Sequence, residues 1–254
     1  MRNRIYFLSD IHLGAGYVRD SRAHESRIVS MLDTFSQDAS EIYMLGDILD
    51  YWFEYKTVVP RGYVRFFGKL AQLADSGIKI TWLIGNHDIW LFDYLRDEIG
   101  INIVTDPIIR HFDGKKFYLA HGDDLGDLNK PGFRFVRSIF RNRTCQKMYA
   151  AIHPRWTVPF AKRWSSGSRK RNTFVYDDWG GDENEASLIF AKNYLEKVDP
   201  DINYFITGHR HLLIERQLSP TCRFIILGDC YEKFTYACWD GQSLQIKQFD
   251  GQHL

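Results

Sequence analysis

The stretch Ile5-Tyr-Phe-Leu-Ser-Asp-Ile-His12 joins a short apolar run to two polar side chains at its carboxyl end. Four more runs repeat this arrangement. They are Ile42-Tyr-Met-Leu-Gly-Asp47, Ile80-Thr-Trp-Leu-Ile-Gly-Asn86, Phe117-Tyr-Leu-Ala-His121 and Tyr204-Phe-Ile-Thr-Gly-His209, with His211 close behind the last. Short apolar runs of this kind are typical of buried strands. In open α/β sheets the crevice lies beyond the carboxyl ends of the strands, so we expect these polar residues to converge there.

The segments between these runs carry helical periodicity. Apolar residues recur at helical spacing over 21–35, 62–74 and 183–195. The resulting β-α-β-α order predicts sheets covered by helices, with right-handed crossovers. Beyond Tyr204 the chain becomes rich in strands, at 222–227, 235–239 and 244–249, and Asp240-Gly241 marks a hairpin turn. We therefore predict two sheets with helices outside.

Composition is that of a soluble globular protein. Of the 254 residues, 44% are hydrophobic and 26% charged, which gives no sign of disorder. The apolar stretch near the N-terminus is too short for a signal peptide or a spanning helix, so we expect a cytoplasmic location. The four cysteines form no CxxC pair and are expected to be free, buried thiols.

Charge is distributed unevenly along the chain. The net charge is only +1, but residues 128–176 contain twelve Lys or Arg and no Asp or Glu, leaving 21 basic against 32 acidic residues elsewhere. We interpret 127–176 as a basic, aromatic helical insertion in a core formed by 1–126 and 177–254. Its apolar positions predict one helix from Phe133 to Ile152, ended by Pro154, and a shorter one after Pro159 that carries Phe160 and Trp164.

The converging residues are metal ligands by type. They are Asp10, His12, Asp47, Asn86, His121, His209 and His211, enough for two divalent ions. Imidazole combined with carboxylate suits Mn²⁺, Fe²⁺, Zn²⁺ or Co²⁺ better than Ca²⁺ or Mg²⁺. Two such ions about 3.5–4 Å apart stabilise the oxygens of an in-line phosphoryl displacement. Asp123 and Asp124 fit supporting positions better than ligand positions, and Asp50 could either orient the site or support its loop.

The ordered series Asp10-x-His12, Gly46-Asp47, Gly85-Asn86-His87-Asp88, His121-Gly122 and Gly208-His209-x-His211 resembles the calcineurin-like metallophosphoesterases. The resemblance implies a four-layer α/β/β/α sandwich. It also implies one ion held by Asp10, His12 and His211, a second held by Asn86, His121 and His209, and Asp47 bridging both. His87 would protonate or hydrogen-bond the leaving phosphate oxygen, with Asp88 orienting its ring.

Within that superfamily, Gly46-Asp-Ile-Leu-Asp-Tyr-Trp-Phe53, Leu227-Gly-Asp-Cys-Tyr-Glu232 and the basic insertion resemble the UDP-2,3-diacylglucosamine pyrophosphatases of lipid A biosynthesis. The resemblance implies hydrolysis of a UDP-lipid to UMP and 2,3-diacylglucosamine 1-phosphate, usually with Mn²⁺, under a helical cap that receives the acyl chains. Arg169, Lys170 and Asn172, together with Asn86, are the candidate substrate-binding residues. The sequence departs from the best-known members at His87, where they carry Arg, and at Cys230, where Trp is common.

Parts of the sequence are also compatible with other functions. The same site could act on a soluble nucleotide diphosphate or another phosphoester, but such a substrate would not need the aromatic insertion. A scaffold that has lost its metals is disfavoured because all seven ligands are present. Nucleic-acid binding is not expected because no DNA- or RNA-binding module accompanies the basic residues. The mixed basic and aromatic surface predicts peripheral contact with the inner face of the cytoplasmic membrane, and no obligate protein partner is evident.

Overall fold

The computed structural model describes residues 2–125, 131–161 and 179–251. Within these ranges the chain forms eleven strands: β1 (Arg4–Leu8), β2 (Ala39–Leu45), β3 (Lys79–Leu83), β4 (Asn102–Val104), β5 (Ile108–Phe112), β6 (Lys115–Leu119), β7 (Tyr204–Thr207), β8 (Leu213–Ser219), β9 (Cys222–Leu227), β10 (Thr235–Trp239) and β11 (Leu244–Gln248). The described helices are α1 (Ser21–Phe35), α2 (Val64–Asp75), α3 (Tyr94–Ile99), α4 (Pro131–Arg141), α5 (Arg143–Ala151), α6 (154–161) and α7 (Ala186–Lys197).

The strands form two sheets. The first has the order β11-β10-β1-β2-β3-β4, and the second has the order β5-β6-β7-β9-β8. In the first sheet β1 to β4 are parallel, while β10 and β11 extend it antiparallel beyond β1. In the second sheet β6, β7 and β9 are parallel. The parallel strands place their carboxyl ends at one edge of each sheet, where the polar residues of the sequence motifs follow.

Alternating side chains build three separate layers of core. On β1, Tyr6 and Leu8 pack with α1 and α2, whereas Ile5 and Phe7 face the second sheet. A third cluster lies between the far side of the second sheet and α7, where Phe205 packs with Leu188. Successive residues of a strand point to opposite faces, so each sheet is covered on both sides. The architecture is the expected α/β/β/α sandwich.

The predicted core helices lie close to their expected positions. Helix α1 spans the predicted residues, and its N-terminus is capped by the Asp20 carboxylate, which accepts from the backbone N–H groups of Arg22 and Ala23. Four elements of the core were not predicted, namely α3, β4, β5 and β8. Helix α3 has six residues and β4 three, too few for a periodic signal, and the outward side chains of β8 are polar or exposed.

The insertion is helical over its described part, but the predicted boundaries were wrong. The long helix is interrupted at Asn142, whose side chain caps α5 by accepting from the N–H groups of Thr144 and Cys145. The next helix begins at Pro154 and contains Pro159. Proline is compatible with the first turn of a helix because its missing N–H is not needed there. Pro154 therefore starts a helix instead of only ending one.

The predicted apolar face of the insertion divides into two surfaces. Phe140 and Tyr149 face the core and pack against Trp90, with ring centroids 5.1 and 5.3 Å from it. Val136 and Ile152 are exposed. The other exposed large apolar side chains in the described part of the insertion are those of Phe135, Ile139, Met148, Trp156 and Phe160. We call these seven exposed side chains the apolar cap surface.

Candidate metal centre

The loops that follow β1, β2, β3, β6 and β7 bring the seven predicted ligands to one place. Five of them have left-handed backbone conformations, with φ of 52° at Asp10, 52° at His12, 55° at Asp47, 70° at His209 and 53° at His211. Such conformations are uncommon for residues other than glycine and cost of order 1–3 kcal/mol each. The fold holds these side chains in a fixed arrangement at the expense of local backbone strain, as functional sites often do.

Asp10, His12 and His211 form the first ligand group. One donor atom from each lies within 4.8 Å of the others. The Nε2 atom of His211 is 3.2 Å from Asp10 Oδ1 and 3.2 Å from His12 Nε2. All three side chains are buried. Donor atoms from these three side chains therefore face the same small volume.

Asp47, His121 and His209 form a second group with the same spacing. His121 Nε2 lies 3.4 Å from Asp47 Oδ2 and 3.2 Å from Asn86 Oδ1, so the amide belongs to this group as well. The same Asp47 Oδ2 lies 3.7 Å from Nε2 of His12 in the first group. One carboxylate oxygen therefore faces both groups, which is the position that a bridging ligand requires.

Hydrogen bonds to the other ring nitrogens orient the imidazoles. His121 Nδ1 donates to the Leu45 carbonyl at 2.8 Å, which leaves the Nε2 lone pair for a cation. On His211, Nδ1 lies 3.1 Å from the Tyr231 hydroxyl. His12 Nδ1 makes no hydrogen bond within the described residues, but it lies 3.4 Å from the charged Asp50 Oδ1. Metal-binding histidines are usually held in this way through their second nitrogen.

The chemistry of the donor set fits a divalent cation. Asp10 Oδ1 is buried and has no hydrogen-bond partner among the described residues, and its neighbours are the Nε2 atoms of His12 and His211. Burial alone would raise the pKa of Asp10 and Asp47, but the surrounding imidazoles lower the pKa of both carboxyls below the usual range. Burial, together with the charge of His121, lowers the pKa of His209 to about 3, so that ring is neutral. Anionic carboxylates beside imidazole nitrogens attract a cation, whose binding displaces any proton from the rings.

Glycine at the end of β2 allows the second group to form. Gly46 has φ of 87°, and a Cβ atom there would lie 2.6 Å from His121 Nδ1. A larger residue would be strained in this conformation and would displace the imidazole. The Gly-Asp pair in the motif is therefore required by both the turn and the close approach of His121.

His87 lies at the edge of both groups, and Asp50 is the carboxylate beside it. The imidazole Nδ1 of His87 is 3.0 Å from the Asp50 carbonyl and 3.4 Å from Asp50 Oδ1. Burial would lower the pKa of His87, but the charges of Asp47 and Asp50 outweigh it and raise the pKa to about 9. Asp50 also faces His12, so one carboxylate supports a metal ligand and the candidate proton donor.

The expected contact between Asp88 and the His87 ring was wrong. Asp88 is fully buried, and its carboxylate accepts from Gly85 N at 2.6 Å, Ile48 N at 2.8 Å and Trp82 Nε1 at 3.1 Å. Burial and the charge of Asp47 raise its pKa to about 6. Asp88 ties together the loops after β2 and β3, and Asp50 takes the orienting position. The orienting role that the family resemblance implied for Asp88 does not hold, because the Asp88 side chain points into the core.

The remaining predicted residues fall into two classes. Asp123 and Asp124 follow His121 and lie near the guanidinium of Arg137 on α4, at 3.8 and 3.2 Å. They therefore connect the insertion to a ligand loop, as their expected supporting role implies. The candidate substrate residues Arg169, Lys170 and Asn172 lie outside the described residues.

Two contributions to the site escaped the sequence analysis. Tyr231 was noted only as part of a motif, yet its hydroxyl contacts His211. Lys233 belongs to no predicted motif, yet its ammonium group donates to the His211 carbonyl at 2.9 Å. Both lie about twenty residues beyond His211, and only the return of the chain through β8 and β9 brings them to it. The Gly228-Asp229 turn signal could have marked this segment as a loop near the strand ends.

The fold and the paired ligand groups define a class of protein, and the chain belongs to it. Residues 3–213 match the model of the calcineurin-like phosphoesterase family. This range contains all seven ligands and His87. The expected family membership is confirmed.

The curated relatives narrow the resemblance further. The chain is 41% identical over 260 residues to UDP-2,3-diacylglucosamine hydrolase of Porphyromonas gingivalis, covering 98% of this chain and 99% of that protein. Proteins of the same name from Ralstonia nicotianae and Shewanella baltica strain OS195 are 28% and 24% identical. These alignments cover 82% and 98% of this chain and 76% and 99% of the relatives.

Proposed function

We propose that this chain hydrolyses the pyrophosphate bond of UDP-2,3-diacylglucosamine, yielding UMP and 2,3-diacylglucosamine 1-phosphate for lipid A biosynthesis. The observation that carries the proposal is the pair of ligand groups sharing Asp47, in a chain 41% identical over its length to a protein named for this substrate. The basic and aromatic insertion beside the site supports this substrate. A substrate with a pyrophosphate and two acyl chains needs cations and apolar surface side by side.

We further propose that Mn²⁺ occupies both positions, with Zn²⁺, Fe²⁺ or Co²⁺ as possible substitutes. The ions would supply Lewis-acid charge to phosphate oxygens and lower the pKa of a water molecule. Asp10, His12 and His211 would hold one ion, Asn86, His121 and His209 the other, and Asp47 both. Contacts with the surrounding residues already hold these imidazoles and carboxylates in position. Little rearrangement of the side chains is therefore required when the metal ions bind.

His87 is the proposed proton donor. Its Nδ1 contacts the carbonyl and the carboxylate of Asp50, so we assign the substrate contact to Nε2. With a pKa raised to about 9, the ring is protonated near neutral pH and can protonate or hydrogen-bond the leaving phosphate oxygen. Asp88 contributes by fixing the loop on which His87 lies.

The apolar cap surface is the proposed contact with lipid. None of the helices within 2–125, 131–161 and 179–251 has the length and apolar character needed to cross a membrane. Trp156 and Phe160 lie one turn apart on α6 and are 70% and 63% exposed. Aromatic side chains interleaved with Arg and Lys are typical of surfaces that rest at a bilayer interface. We propose peripheral contact with the inner face of the cytoplasmic membrane, where Arg169, Lys170 and Asn172 would bind the sugar phosphate.

Product analysis with the UDP-lipid tests the proposed function. Purified protein with Mn²⁺ is expected to release UMP and the monophosphorylated lipid, and to act far more slowly on UDP-glucose. A soluble nucleotide diphosphatase would hydrolyse both at equal rates, because only the lipid requires the insertion. H87A is the matched control, since it should retain metal and lose rate. Equal rates on the two substrates, or products other than UMP and the monophosphorylated lipid, would refute the proposal.

A further inference from the structure

A single turn after β9 forms hydrogen bonds with two ligands of the same metal group. The turn comprises residues 229–233 and begins at Asp229, a fully buried carboxylate. Asp229 Oδ1 accepts from the backbone N–H groups of Tyr231, Glu232 and Lys233 at 3.2, 2.7 and 2.9 Å. Its Oδ2 accepts from Lys233 Nζ at 2.8 Å. The turn is thus closed around one buried charge, and its side chains have defined positions.

Three hydrogen bonds connect residues 229–233 to the first ligand group, and the Tyr231 ring also packs edge-on against the His12 ring. Cys230 N donates to the Asp10 carbonyl at 3.0 Å. The Tyr231 hydroxyl lies 3.1 Å from His211 Nδ1, and Lys233 Nζ lies 2.9 Å from the His211 carbonyl oxygen. His211 is therefore held at its ring and at its backbone. Because its φ of 53° is unfavourable, the residue depends on such contacts to keep its conformation.

The contact with Tyr231 also determines which nitrogen of His211 faces a metal. His211 Nε2 must present a lone pair beside Asp10 Oδ1 and His12 Nε2, both 3.2 Å away. Nδ1 then carries the proton and donates it to the Tyr231 hydroxyl oxygen. Removing that acceptor would free the ring to rotate or to exchange tautomers, and either change would misdirect Nε2.

We propose that Tyr231 and Lys233 are positioning residues that set the metal affinity of the first group, Asp10, His12 and His211, selectively over the second. The proposal rests on the proposed function only in assigning a dinuclear site, and it concerns metal binding without substrate. Outer partners of ligating histidines typically contribute 10–100-fold to metal affinity. We expect that range for the Tyr231 hydroxyl.

Single-site backgrounds make the selectivity measurable. H209A weakens the second group and leaves the first, whereas H211A removes the ligand that Tyr231 holds. Mn²⁺ affinity is measured by calorimetric titration of the full chain, with and without Y231F, in each background. In H209A we expect Y231F to raise Kd for Mn²⁺ by about 10–100-fold. In H211A we expect no change, because the ligand ring that the Tyr231 hydroxyl positions has been removed.

Two further variants separate positioning from general damage. Y43F is the matched control, since the Tyr43 hydroxyl donates a hydrogen bond to Glu41 at 2.8 Å within β2 and not to a metal ligand. It should leave both affinities unchanged. K233M should weaken the same position as Y231F, so the proposal remains testable if one variant folds poorly.

Two results of these titrations would overturn the proposal. Unchanged Mn²⁺ affinity of the Y231F/H209A protein, with an unaltered melting temperature, would overturn the proposal. Equal losses in the two backgrounds would also overturn it, because a general structural effect has no preference between groups. If the selective loss is found but UDP-2,3-diacylglucosamine is not hydrolysed, only the proposed function fails.

Discussion

The lipid contact proposed for the insertion gives a prediction whose size follows from the exposure of Trp156. A tryptophan side chain offers up to about 250 Å² of surface, and Trp156 is 70% exposed, so roughly 175 Å² could leave water. At ~25 cal/mol per Å² the ceiling is ~4 kcal/mol. If half of that area enters the interface, W156S should lose ~2 kcal/mol, which weakens partitioning onto a membrane about 30-fold.

Partitioning is measured by flotation or sedimentation with liposomes containing anionic lipid. We expect wild-type protein to bind and W156S to bind about 30-fold more weakly. Raising the salt concentration should weaken both proteins, because the Lys and Arg contribution is screened while the aromatic contribution is not. The stability of W156S should change by less than ~0.5 kcal/mol, since the side chain is mostly exposed.

V64S is the control for nonspecific loss of apolar surface. Val64 is 76% exposed, but it lies at the start of α2, outside the apolar cap surface. Its substitution should leave liposome binding unchanged. The reasoning fails if W156S binds as tightly as wild type, or if V64S weakens binding as much as W156S does.

Further predictions concern the metal centre and His87. D47A should lose both ions and nearly all activity, because one oxygen serves both groups; elemental analysis of the purified protein beside the rate checks this, and retention of one tightly bound ion would contradict the shared role. H87A should retain both ions and lose about 10²–10⁴-fold in rate; loss of metal would instead make it a structural residue. D50N should move the alkaline limb of the pH profile of kcat/KM to lower pH, since removing a negative charge lowers the pKa of the imidazolium; a limb at the wild-type pH would exclude His87 as the titrating acid. Removing the metal with a chelator should lower Tm, and adding Mn²⁺ at ~1,000 times its Kd should raise the free energy of unfolding by ~4 kcal/mol. Equal Tm values with and without metal would show that no ion binds the folded state preferentially.

The sequence predicted the strands that carry the ligands because their patterns are strong. Each is a continuous apolar run that ends in a Gly, Asp, Asn or His signal, and β1 to β3 lie close to the expected residues. Helix α1 was predicted at its true ends from its apolar periodicity, and the structure shows that Asp20 caps its N-terminus. Elements with few residues or exposed faces, such as β4 and β8, left no such pattern.

The insertion shows why periodicity alone places boundaries poorly. A continuous apolar face suggested one helix, but Asn142 caps a new one because its side chain competes for backbone N–H groups. The sequence also suggested that the apolar residues of the insertion form one surface. The structure divides it, because Phe140 and Tyr149 pack against Trp90 while their neighbours remain exposed.

The amino-acid sequence by itself determined the ligand types, their order and the strand ends from which they project, since these follow from local patterns of apolar and polar residues. It could not determine which carboxylate would lie beside His87. Asp88 is adjacent in the chain but points into the core, and Asp50 reaches the imidazole from another strand end. Tyr231 and Lys233 likewise meet His211 only after β8 and β9 return to the site. Such partners depend on the distances between side chains from separate segments, and those distances exist only when the two sheets have packed together.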